Sequence, residues 1–225
     1  MPLRDPELII FDWDGTLVDS FDLLYAAHNH VRRAMDLTPW SEDEARHYIR
    51  ASAREIYPEI YGDSCDDAIK LLYNFVEQHH IAKLAAMPSA KELLSFIHNE
   101  TSIPMAVVSN KNQHYLEREI ASLKWYDYFS CIVGAGRAER DKPSSAPIDF
   151  LFNKLESSGI PAPDNNKVWF VGDTETDMIC AQAAHITPVF IRCGFGNDDI
   201  IEKYKPKAVI NDCKNLHYVL QHDKM

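Results

Sequence analysis

Short apolar runs recur along the chain, separated by longer stretches in which apolar residues return every three or four positions. The runs are Glu7 to Phe11, Pro104 to Val108, Cys131 to Val133, Lys167 to Val171, Pro188 to Ile191 and Ala208 to Ile210. They are continuous and contain β-branched residues, as expected of strands buried on both faces in a parallel sheet. Between most of them lie helical patterns over Ser89 to His98, Asn112 to Leu123, Ala146 to Ser158 and Thr174 to Ala184. Strand and helix alternating in this way predict an α/β fold built on a doubly wound parallel sheet, Rossmann-like in its layers.

One stretch departs from the alternation. Between Asp19 and about Met87 there is no run suited to a buried strand, only helical patterns near Phe21–Met35, Ser41–Ala51 and Cys65–Ala85. Thr38-Pro39, Pro58 and Tyr61-Gly62-Asp63 are the expected breaks. Inserted directly after the first strand, this segment is expected to form a helical cap, residues 18–87, over a core made of residues 1–17 and 88–225.

Ligand sites in open α/β sheets form at the carboxyl ends of the strands, so the residues after each run carry the chemistry. The first run is followed by Asp12-Trp13-Asp14-Gly15-Thr16 and the second by Ser109-Asn110-Lys111. Gly172-Asp173 follows the fourth, with Asp177 one helical turn on, and Lys142 sits in the loop after the third. A carboxylate can attack phosphorus and form an acyl phosphate, dividing a difficult hydrolysis into two displacements. It needs cations to approach an anionic phosphate. Asp12 and Asp173 suit Mg2+, which prefers oxygen ligands, and Lys142 adds a positive charge. Ser109, with Asn110 beside it, offers donors to the phosphate oxygens, and Asp14 can protonate the leaving oxygen and later activate water.

The motifs FDWDGTLVDS, VVSNK, DKP and VGDTETDM resemble, in order, the four sequence motifs of the haloacid dehalogenase superfamily. SLKWYDYFSCIVGA and AAMPSAKELL are similar to its phosphoglycolate-phosphatase-like branch, in which a helical cap separates the first two motifs. The resemblance implies Asp12 as nucleophile, Asp14 as general acid/base and its main-chain carbonyl as a metal ligand. It also implies Ser109 and Lys142 as phosphate-binding, Asp173 as a metal ligand and Asp177 as a carboxylate behind the metal or orienting the lysine. KPSSAP is two residues longer than the family's usual KPxP, so the loop after Lys142 is expected to differ. Arg50 and Arg54, in the segment that reaches over the phosphate in relatives, are candidate specificity residues. Trp13 is expected to pack under the loop, and His79-His80 to form an exposed helix end.

A net charge of −11 over 225 residues argues against a nucleic-acid or anionic-membrane surface and leaves room for a small phosphorylated metabolite in one positive pocket. Five scattered cysteines without a CxxC pair, and no apolar leader, predict a reduced cytoplasmic protein. Monomer and homodimer fit the pattern equally. Among rival activities, a dehalogenase has no use for Asp14, whereas a sugar phosphomutase would share the whole set. A silent phospho-acceptor or binding protein on the same scaffold would not need every one of these side chains.

Overall fold

The computed structural model describes residues 5–49, 51–161, 163–192 and 198–222. The chain opens with β1 (Leu8–Phe11) and a short β2 (Val18–Asp19), then runs through α1 (Phe21–Ala34), α2 (Glu42–Tyr48), α3 (Ala53–Tyr61) and α4 (Cys65–His79). It returns through β3 (Ala85–Ala86), paired antiparallel with β2. From there the alternation is regular: α5 (Ala90–Glu100), β4 (Met105–Asn112), α6 (Gln113–Leu123), β5 (Cys131–Ala135), α7 (Ala146–Ser157), β6 (Val168–Gly172) and α8 (Glu175–Ala183). β7 (Thr187–Ile191), α9 (Asp199–Tyr204), β8 (Ala208–Ile210) and α10 (Cys213–His222) complete the chain.

The six-stranded sheet has the order β5-β4-β1-β6-β7-β8, and its neighbouring strands pair in parallel among the described residues. β1 lies in the middle, with Ile9 opposite Met105 on one side and Trp169 on the other. Because successive side chains in a strand point to opposite faces, Ile9 and Phe11 join one core and Leu8 and Ile10 the other. The first core is closed by Leu93, Leu94 and Ile97 of α5, Leu116 and Ile120 of α6 and Leu216 of α10. The second is closed by Ile148, Leu151 and Leu155 of α7 with Cys180 and Ala181 of α8. The doubly wound expectation holds. The chain winds one way from β1 to β4 and β5 and the other way through β6 to β8, so the order reverses beside β1.

Every described element from Phe21 to His79 is helical, forming an insertion with its own core of Ala27, Val31, Tyr57, Tyr61, Ala68, Leu72 and Val76. Pro58 does not break it. α3 runs through that residue because a proline in a short helix forfeits one backbone bond while Tyr57 and Tyr61 on either side are buried. No described helix is long and apolar enough to cross a membrane.

Candidate active site

The first strand delivers Asp12 to the carboxyl edge with its backbone still in register, since Asp12 N–H donates to the Val171 carbonyl at 2.9 Å. The chain then turns sharply. Gly15 adopts φ +81°, a conformation that costs glycine little, and Gly15 N–H donates to the Val18 carbonyl at 2.8 Å. The turn leaves Asp14 on the rim of a cavity between the sheet edge and the helical insertion. Asp12, Ser109, Asn110, Lys111, Lys142 and Thr174 line its floor, and Leu24, His28, Leu72, Tyr73 and Val76 line the side made by the insertion.

Lys142 is buried and bridges two acids, with Nζ 2.7 Å from Asp12 Oδ1 and 2.7 Å from Asp177 Oδ1. Asn110 holds the lysine's backbone from both sides: its Nδ2–H donates to the Lys142 carbonyl at 3.0 Å, and its Oδ1 accepts from Lys142 N–H at 3.0 Å. The two additional residues of KPSSAP are taken up by a turn, Ser144 N–H to the Asp141 carbonyl at 3.0 Å, and by Pro147 in the first turn of α7.

Asp177 is held by α8 itself. Its Oδ2 accepts from Thr174 N–H at 2.9 Å and from Thr174 Oγ1–H at 2.6 Å, a capping box that frees Oδ1 for Lys142. Gly172 makes this approach possible, because a Cβ there would meet Asp177 Cβ and Cγ at 2.5 Å. Asp173 accepts from Thr16 Oγ1–H at 3.1 Å.

Asp12, Asp173 and Asp177 are buried, and oxygens of the three lie within 4.8 Å of one another. Burial pushes the Asp12 carboxyl up to about 7; Lys142 opposes the rise and the charge of Asp177 adds to it. Burial works to lower the Lys142 pKa, but Asp12 and Asp177 outweigh it and hold the ammonium above its ordinary range. Three buried carboxylates cluster beside one buried ammonium, a set that fits a hard divalent cation with oxygen ligands.

A second buried network stands behind Asp14. Lys111 Nζ donates to Asp14 Oδ1 at 2.6 Å and to Glu119 Oε2 at 2.8 Å. Glu119, 1% exposed, also accepts from Trp13 Nε1–H at 2.7 Å and contacts His80 Nδ1 at 3.0 Å through Oε1. Burial works to raise the Glu119 pKa, yet Lys111, His80 and Trp13 together hold it below the ordinary carboxylate range. His80 is therefore buried, not an exposed helix end, because α4 delivers it beneath α6 to this carboxylate. Trp13 packs under the loop against Trp125, with ring centroids 5.8 Å apart, and adds the bond to Glu119. The signal for this network was a glutamate on the apolar stripe of α6, between Leu116 and Ile120.

Of the two candidate arginines, Arg50 lies outside the described residues. Arg54 does not line the cavity: Nη2–H donates to the Glu139 carbonyl at 2.6 Å, and Nη1 lies 3.7 Å from Asp141 Oδ1. Asp141, 3% exposed, also accepts from Ser52 Oγ–H at 2.9 Å and Gly136 N–H at 2.9 Å. A buried carboxylate and a carbonyl attract the guanidinium more than an open cavity does. Arg54 thus joins the insertion to the core.

Fold and site together define a doubly wound α/β protein with an acidic, lysine-bridged centre at the point where the strand order reverses. Residues 9–191 match the sequence profile of the haloacid dehalogenase-like hydrolases, and the chain belongs to that family. It is 28% identical over 224 residues to a phosphoglycolate phosphatase of Pseudomonas fluorescens, covering 96% of this chain and 80% of that one. A phosphoglycolate phosphatase of Psychrobacter arcticus is 22% identical, with 94% of each chain covered. A haloacid dehalogenase-like family hydrolase from Streptococcus pneumoniae superposes with a TM-score of 0.81 at 20% identity, covering 96% of this chain and 99% of that one.

Proposed function

We propose that this hydrolase is a magnesium-dependent phosphatase that cleaves a small phosphate monoester through an aspartyl phosphate on Asp12. The observation that carries the reading is the Lys142 ammonium set between Asp12 and Asp177, with Asp173 completing the buried acidic cluster. Asp12 and Asp173, with the main-chain carbonyl of Asp14, would hold Mg2+. The ion when bound neutralises charge on the phosphate and on the carboxylates around it.

Lys142 and the Ser109 hydroxyl face the phosphate oxygens, while Asn110 acts through the backbone of Lys142. An Asp12 oxygen forms its bond to phosphorus as the bond to the leaving oxygen breaks, and Asp14 delivers a proton to that oxygen. Asp14 then takes a proton from the water that opens the acyl phosphate. Residues 18–87 act as the cap over a core of residues 1–17 and 88–225. The free thiols of Cys65, Cys131, Cys180 and Cys213 suit a cytoplasmic enzyme.

The likeness to phosphoglycolate phosphatases supports a small phosphorylated substrate and makes 2-phosphoglycolate the first compound of a panel that also holds sugar phosphates, nucleotides and p-nitrophenyl phosphate. Purified protein should release phosphate with Mg2+ and not with chelator, and Asp12→Asn should be inactive. Near-wild-type turnover by Asp12→Asn would rule out the aspartyl phosphate, and turnover that survives chelation would rule out the metal.

A further inference from the structure

Lys111 is the one buried ammonium facing the described cavity that the mechanism above leaves without a task. β4 carries it there by running past Val108 to Asn112, and strand alternation puts Ser109 and Lys111 on the same buried side with Asn110 and Asn112 half-buried. The ammonium reaches back to the turn after β1, 2.6 Å from Asp14 Oδ1, and is anchored from the other side by Glu119 at 2.8 Å. Glu119 in turn cannot drift, since Trp13 and His80 occupy the rest of its carboxylate.

We propose that Lys111 is the positioning residue for Asp14: it pins Oδ1, so that Oδ2 is the oxygen that carries the proton exchanged with the leaving group and then with water. The inference rests on Asp14 acting as the acid and base. Two features favour positioning over a purely structural pair. A buried ionic network is seldom worth more to stability than well-packed apolar side chains of the same volume. The residue that gains from this one is Asp14, whose side chain is 14% exposed at the cavity rim and would otherwise be free to turn. A general acid misplaced by a fraction of an ångström loses much of its effect, and the loss grows with the basicity of the leaving oxygen.

The test compares p-nitrophenyl phosphate with benzyl phosphate, similar in bulk but differing in the need for a proton, using the full chain with Mg2+. Lys111→Met should lose at least about tenfold more kcat on benzyl phosphate than on p-nitrophenyl phosphate, with KM changed less than about threefold. Asp14→Asn should show the same bias, and the double variant should add little, because the lysine acts through the acid. Lys111→Arg, which keeps two donors, should recover most of the lost benzyl phosphate turnover. If Lys111→Met does not melt cooperatively, Lys111→Met with Glu119→Gln, which removes the stranded charge, is read by the same criteria.

Equal losses on both substrates, a rise in KM as the main effect, or losses that multiply in the double variant would overturn the positioning role. If Asp14→Asn itself shows no bias, the acid/base reading fails and this inference falls with it. If Asp14→Asn is biased and Lys111→Met is not, only the inference about Lys111 falls.

Discussion

Asp12 is under two opposed demands: it must be ionised to attack, and it sits where burial favours its acid form, with a pKa of about 7. Removing that charge should therefore stabilise the metal-free protein while abolishing turnover. Asp12→Asn is expected to raise the melting temperature in chelator, by an amount equivalent to about 1–3 kcal/mol. Mg2+ should raise the melting temperature of the wild type clearly more than that of the variant, as differential scanning calorimetry can check. His28, on the insertion side of the cavity, behaves in the opposite sense. Burial lowers its pKa to about 4 from 6.5, and the Tyr57 hydroxyl, whose own pKa is raised chiefly by burial, is hydrogen-bonded to Nδ1 at 3.0 Å. The unfolded chain takes up a proton at this residue below pH 6.5 while the folded chain waits until about 4, so stability falls as pH drops through that window. The fall has a ceiling of about 3 kcal/mol. Denaturant melts from pH 7 to 4.5 should be flatter in His28→Gln than in the wild type.

Among the elements, the junction of β6 and α8 has the least slack. Gly172 ends the strand, Asp173 turns the corner, Thr174 caps the helix, and Asp177 serves both the cap and Lys142. A methyl group at Gly172 would lie 2.5 Å from the Asp177 side chain, which has no second place to go without releasing Thr174 or Lys142. Gly172→Ala is expected to cost about 1–3 kcal/mol by overpacking. It should also lower kcat at least about tenfold, because the lysine loses one of its two acceptors. A variant that keeps wild-type kcat and stability would show that Asp177 can relax without consequence.

Across the whole molecule, polar contacts join the insertion to the core at several described places: Glu77 pairs with Arg118, Tyr115 Oη–H donates to the Tyr73 carbonyl at 3.1 Å, and His80 meets Glu119. Ser52 and Arg54 converge on Asp141, immediately before Lys142, so closure of the insertion is tied to the loop that carries the lysine. Arg54 is 45% exposed, so Arg54→Ala should change stability by less than about 1 kcal/mol. It should raise KM several-fold, and equally for 2-phosphoglycolate and p-nitrophenyl phosphate, because the contact holds the insertion and not a substrate carboxylate. A selective loss of 2-phosphoglycolate would return Arg54 to substrate recognition.

Periodicity and strand-end chemistry were enough to determine the layers of this protein, the place of its helical insertion and the identity of the residues around Asp12. The physical reason is that a parallel sheet buried on both faces demands continuous apolar runs, and its carboxyl edge is where polar residues next become admissible. What only the tertiary structure decided is which of those polar residues meet. Lys142 reaches Asp12 across 130 residues of chain, and Lys111 reaches Asp14 across 97. Neither pairing follows from spacing, because the register that makes it is set by side chains of other strands. Glu119 lies on the apolar stripe of its helix and His80 at the end of another, but neither position names its partner until the two helices are packed together. Once they are, the hydrogen bond from Trp13 and the charge of Lys111 make burial of the carboxylate tolerable. Arg54 was drawn away from the cavity by a buried aspartate on a loop that no local pattern connects to it.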